Sequence, residues 1–102
     1  MVERTVIEIV REYAHLVSSR FCVRTVVLFG SFALGTQRPG SDIDVAVVLE
    51  TEPENVWRTE SELFGLARQV DFRIEPILAN DKNDRSGFWE EISKYGKVIY
   101  VR

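Results

Sequence analysis

The chain has 102 residues, of which 45% are hydrophobic and 11% aromatic, and a formal net charge of −3 at pH 7. This length predicts one domain over residues 1–102, and the composition excludes an intrinsically disordered chain. Because the 13 basic and 16 acidic residues are interspersed, we expect no direct binding of nucleic acid.

Two features of the sequence bear on its compartment. The chain has one cysteine, Cys22, so it forms no internal disulfide, which favours a reducing environment. No apolar run approaches the ~20 residues that a membrane-spanning helix needs, and the N-terminus lacks the apolar core of a signal peptide. We therefore expect a cytoplasmic protein that has no membrane partner.

The first half of the chain predicts an amphipathic helix followed by two strands. Apolar residues recur at helical spacing in the helix and leave His15 on its solvent face. Ser31 is a favourable N-cap residue for a short helical turn that Gly35 ends. The predicted elements are a helix over residues 3–19, a strand over 21–29, a helical turn over 32–34 and a strand from Ser41 or Asp42 to Leu49.

The second half predicts two more helices, each followed by a strand. Thr51 and Glu54 have the spacing of a capping box at which the third helix would begin. Pro76 predicts that the strand containing it lies at a sheet edge. The predicted elements are a helix to about residue 69 with Val56, Leu63, Phe64 and Ala67 facing the core, a strand over 72–78, a helix capped by Ser86 and ended by Gly96, and a strand over 97–101. This order predicts an α/β (α+β) fold in which helices flank a small mixed sheet of about four strands.

Two aspartates, Asp42 and Asp44, lie at the start of the second strand. Residues two apart on a strand point to the same face, with Cα atoms roughly 7 Å apart. Two carboxylates at the mouth of a buried strand are unfavourable unless a cation lies between them. Mg²⁺ binds carboxylates together with substrate phosphates. We therefore expect Asp42 and Asp44 to be catalytic residues that bind Mg²⁺.

Gly30 and Ser31 follow the first strand and predict a phosphate-binding turn. Glycine lets the backbone approach a ligand closely, and the N–H groups of a following helical turn favour an anion. The Ser31 hydroxyl adds a donor. Arg38, in the loop before Asp42, is either a further nucleotide-binding residue or an ordinary exposed charge.

Two segments resemble the signature of the DNA polymerase beta-like nucleotidyltransferases, namely Gly30-Ser31-Phe32-Ala33-Leu34-Gly35 and Ser41-Asp42-Ile43-Asp44-Val45. At this size the whole chain resembles the minimal nucleotidyltransferases of prokaryotes. The resemblance implies the polymerase beta-like fold, two Mg²⁺ ions at the paired aspartates, and transfer of a nucleoside monophosphate to a hydroxyl group. AMP from ATP is the expected donor reaction.

The same resemblance implies a third carboxylate, on the strand after the crossover helix, that prepares the attacking hydroxyl and joins the metal ligands. Asp71 and Glu75 have the same parity but lie ~13 Å apart along a strand, so only one of them reaches the metals. We favour Glu75, because the segment Ile74-Glu75-Pro76-Ile77-Leu78 resembles the apolar strand that carries this carboxylate in the family. Asp71 is the alternative.

The resemblance also implies a partner. Minimal nucleotidyltransferases of this kind are commonly paired with a small all-helical HEPN protein, as the antitoxin of a toxin–antitoxin module. We therefore expect AMP transfer to a tyrosine of a HEPN toxin in a type VII-like module, from a homodimer or a hetero-oligomer with the partner. Two alternatives stay open: an antitoxin that neutralises its partner by contact alone, and a small-molecule nucleotidyltransferase of the aminoglycoside type.

Overall fold

The computed structural model describes residues 4–81 and 87–102. Eight elements follow one another in this part of the chain, four helices and four strands. They are α1 (Val6–Ser18), β1 (Val23–Phe29), α2 (Ser31–Leu34), β2 (Ile43–Leu49), α3 (Val56–Val70), β3 (Ile74–Leu78), α4 (Phe88–Tyr95) and β4 (Lys97–Val101). None of the described helices is both long and apolar enough to cross a membrane.

The four strands form one mixed sheet in the order β3-β2-β1-β4. Strand β1 pairs antiparallel with both β2 and β4, whereas β2 pairs parallel with β3. Parallel neighbours need a crossover connection, and α3 is that crossover. The predicted α/β fold with a mixed sheet of four strands is confirmed.

The main core lies between one face of the sheet and helices α1 and α3. Tyr13 is fully buried there, and its hydroxyl donates to the Leu63 carbonyl oxygen at 2.9 Å, which ties α1 to α3. The opposite face is covered more thinly, by α4, whose Ile92 packs with Val27 and Ala46 in a smaller cluster. His15 is exposed on α1, as predicted.

Strand β3 lies at the edge of the sheet, as Pro76 predicted. The Arg73 carbonyl oxygen accepts a hydrogen bond from the Ile43 N–H, and the Ala79 N–H donates to the Val47 carbonyl oxygen. The odd-numbered residues of this segment therefore form the backbone hydrogen bonds to β2. Pro76 is even-numbered, so its backbone nitrogen, which has no hydrogen to donate, points away from β2 to the outer edge of the sheet.

Two predicted helix starts are wrong. Gly30, at φ 74°, is the N-cap of α2 and Ser31 is its first helical residue, although Gly35 ends the turn in the left-handed conformation as predicted. Helix α3 begins at Val56 after Asn55, whose side chain accepts from Arg58 N–H at 3.1 Å. The proposed capping box at Thr51 and Glu54 is therefore not formed. Instead, Glu52 in this segment accepts a hydrogen bond from Asn80 at 2.6 Å.

The inward face of α3 is rotated relative to the prediction. Leu63 and Ala67 are buried as expected, but Val56 and Phe64 are exposed. Thr59 and Leu66 take their places, so the buried face of α3 consists of residues 59, 63, 66 and 67. The predicted cap of the last helix, Ser86, lies outside the described residues, and α4 follows Gly87.

Candidate active site

Asp44 lies on β2 with its side chain on the thinly covered face of the sheet. Its neighbours Ile43 and Val45 are fully buried on the opposite face, in the main core. Asp42 immediately precedes the strand and is exposed. The predicted alternation therefore holds, and the two carboxylates share one face and one end of the sheet.

Glu75 lies directly beside Asp44, because the parallel register of β2 with β3 aligns these two residues. Adjacent strands are ~4.8 Å apart, and aligned residues of a parallel pair point to the same face. The structure therefore brings together the three carboxylates that the sequence singled out as a site, Asp42, Asp44 and Glu75.

Asp71, the alternative third carboxylate, is placed elsewhere. It is the C-cap residue of α3, and its carboxylate accepts from the Arg73 backbone N–H at 2.9 Å and from the Arg73 guanidinium at 3.1 Å. The side-chain hydrogen bond from Arg73 is the largest of the effects that lower the pKa of Asp71 below its usual value. This carboxylate is engaged in closing the turn into β3 and does not line the pocket that contains Asp44.

Gly30 lies against Asp44, since β1 and β2 pair Phe29 with Asp44. A Cβ atom at Gly30 would lie 2.2 Å from Oδ2 of Asp44. The backbone here also has φ 74° and ψ −154°, a conformation that is essentially restricted to glycine. Glycine at this position therefore leaves the space that the Asp44 carboxylate occupies.

Arg38 lies in the loop between α2 and β2, in a turn closed by hydrogen bonds in both directions with Ser41. Its backbone N–H donates to the Ser41 hydroxyl at 2.8 Å, and its carbonyl oxygen accepts from the Ser41 backbone at 2.9 Å. The residue is exposed and does not line the pocket that contains the aspartates. The structure thus brings Gly30, but not Arg38, against the Asp44 carboxylate, and Ser31 follows Gly30 as the first residue of α2.

An open pocket of about 420 Å³ contains the three carboxylates. Two residues of α3 that the sequence analysis missed, Glu60 and Phe64, line it as well. Helical spacing from Ala67 would have placed both on one side of α3, but the side facing the pocket is known only once the crossover is packed. The described residues that line the pocket include four carboxylates and no basic side chain.

The pKa of Asp44 is raised above its usual value. Burial of the carboxylate is the largest cause, and the neighbouring charges of Asp42 and Glu75 raise the pKa further. A carboxylate held among like charges is stabilised in its ionised form by a bound cation. The electrostatics of the pocket therefore favour a positively charged ligand at Asp44.

The donor set suits Mg²⁺ held jointly with a substrate. Among residues 4–81 and 87–102, no group of three or more His, Cys, Asp or Glu side chains is arranged to hold a metal ion unaided. Mg²⁺ is bound in just such sites, through one or two carboxylates, with the other positions filled by water and substrate phosphates. Asp42 and Asp44 fit that role, and Glu75 lies beside them.

Comparison with known proteins points to one family. The family model described as "Polymerase beta, Nucleotidyltransferase" matches residues 11–102. A protein of Methanocaldococcus jannaschii named "Putative protein adenylyltransferase MJ0141" is 28% identical over 100 residues, covering 92% of this chain and 98% of its own length.

Two solved structures share the fold. One is described as a toxin-antitoxin with AMP-PNP (TM-score 0.69, 23% identity, 92% of this chain and 73% of that chain). The other is described as tri-AMPylated Shewanella oneidensis HEPN toxin in complex with MNT antitoxin (TM-score 0.68, 18% identity, 96% of this chain and 74% of that chain). At these identities the similarity extends to the fold alone.

The raised pKa of Asp44 predicts that this carboxylate destabilises the fold in the absence of a cation. The pKa of Asp44 is higher in the folded state than in the unfolded state, so ionisation of Asp44 lowers the free energy of unfolding. This destabilisation is fully present at a pH above the folded-state pKa, and it vanishes below about pH 4, where Asp44 is protonated in both states. We expect Asp44→Asn to have a higher Tm than the parent at pH 7, measured without divalent cations, and the difference to shrink as the pH falls towards 4. Glu54→Gln, an exposed carboxylate outside the pocket, is the control and should change little. An equal or lower Tm for Asp44→Asn at pH 7 would contradict the electrostatic interpretation.

Gly30→Ala should damage the site, because its methyl group meets the Asp44 carboxylate and its backbone conformation excludes alanine. We expect Mg²⁺ with ATP to raise the Tm of the parent, and we expect Gly30→Ala to have a lower Tm and to lose this stabilisation. Gly35→Ala is the matched control: its φ is 75°, but the added Cβ would meet no atom within 4 Å. That variant should lose only about 1 kcal/mol of stability and keep the response to Mg²⁺ with ATP. An unchanged response in Gly30→Ala would show that close contact with Asp44 is not needed for binding.

Proposed function

This chain belongs to the Polymerase beta, Nucleotidyltransferase family, and on that premise we propose that it transfers AMP from ATP to a tyrosine hydroxyl of a HEPN-family partner, as the antitoxin of a toxin–antitoxin module. The observation that carries the reaction type is the register of β2 with β3, which aligns Asp44 with Glu75. Asp42, Gly30 and Ser31 lie around this pair. The donor and the acceptor protein are supported by the relatives rather than by the site.

The proposed donor and partner rest on what similar proteins are named. The archaeal relative that matches over nearly its full length carries the name of a protein adenylyltransferase. One structural neighbour is described with AMP-PNP, an ATP analogue, and another with a tri-AMPylated HEPN toxin. This chain shares their fold, and the carboxylates of Asp42, Asp44 and Glu75 in its pocket support the proposed reaction.

In the proposed mechanism Asp42 and Asp44 would hold two Mg²⁺ ions together with the triphosphate. When bound, the ions neutralise the charge of the reacting phosphates and of the departing pyrophosphate. Glu75 accepts the proton of the acceptor hydroxyl, whose oxygen forms a bond to the α-phosphorus as the bond from that phosphorus to the β-phosphate oxygen breaks. Ser31 and the backbone after Gly30 bind phosphate oxygens, which orients the triphosphate in line with the attack.

The reaction is tested with labelled ATP, Mg²⁺ and a candidate HEPN-family partner protein. We expect label on the partner with the parent chain and none with Asp42→Ala/Asp44→Ala. Glu75→Gln should lower kcat by about 10²-fold or more, the usual contribution of a general base, whereas Asp71→Asn should keep most of the activity, because Asp71 is engaged with Arg73.

Three outcomes would contradict parts of this proposal. Strong loss of activity in Asp71→Asn with an active Glu75→Gln would make Asp71 the third carboxylate. Equal neutralisation of the partner by the parent and Asp42→Ala/Asp44→Ala, with no label on either, would identify an antitoxin that acts by contact. Label on an aminoglycoside, with none on the protein partner, would identify a small-molecule enzyme.

A further inference from the structure

Helix α3 presents large aromatic side chains to solvent. Trp57 is 85% exposed, and Phe64, seven residues later on the same side of the helix, is 40% exposed. Ser61 and Gly65 lie between and beside them and are exposed as well. We call Trp57, Ser61, Phe64 and Gly65 the α3 stripe. An exposed aromatic surface rimmed by polar residues is typical of a site that contacts another molecule.

The α3 stripe is continuous with the candidate active site. Phe64 belongs to the stripe and also lines the pocket that contains Asp44 and Glu75. The Arg68 guanidinium lies over the Phe64 ring, 6.0 Å from its centroid, and also donates to the Ile74 carbonyl oxygen in β3. The stripe is therefore held in a fixed position relative to the strand that carries Glu75.

Gly65 has no role in the packing of this chain. A glycine inside a helix is less favourable than an alanine, yet Gly65 lies in the middle of α3. Its φ is not positive, and a Cβ at this position would meet no atom within 4 Å. The missing side chain leaves the backbone of α3 beside Phe64 open to close approach by another molecule.

The charge around the stripe indicates what kind of molecule fits. The pocket at its end is lined by four carboxylates and no basic side chain among the described residues. On α3 itself, Arg58 is paired with Glu62 at 3.8 Å, and the Arg68 guanidinium over Phe64 donates to the carbonyl oxygens of Phe72 and Ile74, so the unbalanced charge is the negative charge of the pocket. Two bound Mg²⁺ ions would balance the charge of ATP and leave the charge of the remaining wall negative. A positively charged partner is therefore favoured, and a second copy of this chain, with a net charge of −3, is not.

We infer that the α3 stripe is the docking surface for the acceptor protein, which covers Trp57 and presents its hydroxyl to Asp44 and Glu75 from a positively charged segment. This inference rests on the proposed function and adds the surface and the charge of the acceptor. Trp57 is the anchor, since an exposed tryptophan that becomes buried contributes much of the binding energy of an interface. Gly65 allows the partner to approach α3.

The test uses two variants of the stripe with the HEPN-family protein as the probe. Trp57→Ala and Gly65→Gln should each raise the KM for the partner by about tenfold or more, the effect of losing an interface anchor, with kcat unchanged at saturation. Both should keep the parent's thermal stabilisation by Mg²⁺ with ATP. Gly65→Gln should also raise the Tm of the chain, because it replaces a helix glycine, so weaker docking in this variant cannot come from unfolding. KM for the partner should rise with salt concentration.

A second measurement separates failure of the docking surface from failure of the proposed reaction. In a Trp89→Phe background Trp57 is the only tryptophan, and its emission should shift to the blue when the partner binds Asp42→Ala/Asp44→Ala. If the stripe variants label the partner like the parent while Asp44→Asn does not, the docking inference is overturned and the proposed reaction stands. If neither the parent nor any variant labels the partner, the proposed reaction is wrong. The Trp57 emission then tests the docking surface by itself: a complex that forms without a blue shift, or the absence of any complex, overturns the docking inference. A blue shift on raising the concentration of the chain alone would identify a second copy as the occupant and also overturn it.

Discussion

A parallel strand pair holds only in a register that keeps its apolar residues in the core, and the β2–β3 pair illustrates the consequence. Ile43 pairs with Ile74, and both are completely buried. With this pair fixed, the following residues, Asp44 and Glu75, must lie side by side on the other face. A slip of one residue would turn Glu75 into the core, where an unpaired carboxylate is strongly unfavourable. The packing of the main core thus determines the geometry of the candidate site.

The arrangement that forms the candidate site also lowers the stability of the fold locally. Burial and two neighbouring carboxylates raise the pKa of Asp44, and the backbone of Gly30 adopts a conformation that other residues rarely reach. Both features lie at one end of the sheet, near the face on which α4 packs. The rest of the fold, including the Tyr13 hydrogen bond between α1 and α3, compensates for this local cost. Such a concentration of unfavourable terms is typical of a site built to hold a cation and a charged substrate.

Much of this arrangement could be predicted from the sequence, because the signals were local. Alternating burial around Ile43 fixed the direction of Asp42 and Asp44, and Pro76 indicated the edge strand. The start of α3 could not be predicted, because Asn55 competes with Thr51 as a cap and only packing decides between them. The side of α3 that faces the pocket also depends on packing, which leaves Phe64 at the pocket and brings Glu60 to its wall. The choice between Asp71 and Glu75 likewise depended on tertiary structure, namely the register of β3 and the pairing of Asp71 with Arg73.

The central claim is that Asp42, Asp44 and Glu75 form one cation site that works together with a nucleotide. Diffraction from crystals grown with Mn²⁺ and a non-hydrolysable ATP analogue, recorded at the manganese absorption edge, tests it most directly. We expect anomalous peaks within ligand distance of Asp42 and Asp44, one of them also within reach of Glu75, and phosphate oxygens of the analogue beside the backbone after Gly30. Manganese bound at Asp71, or a nucleotide bound with no metal at Asp44, would contradict it.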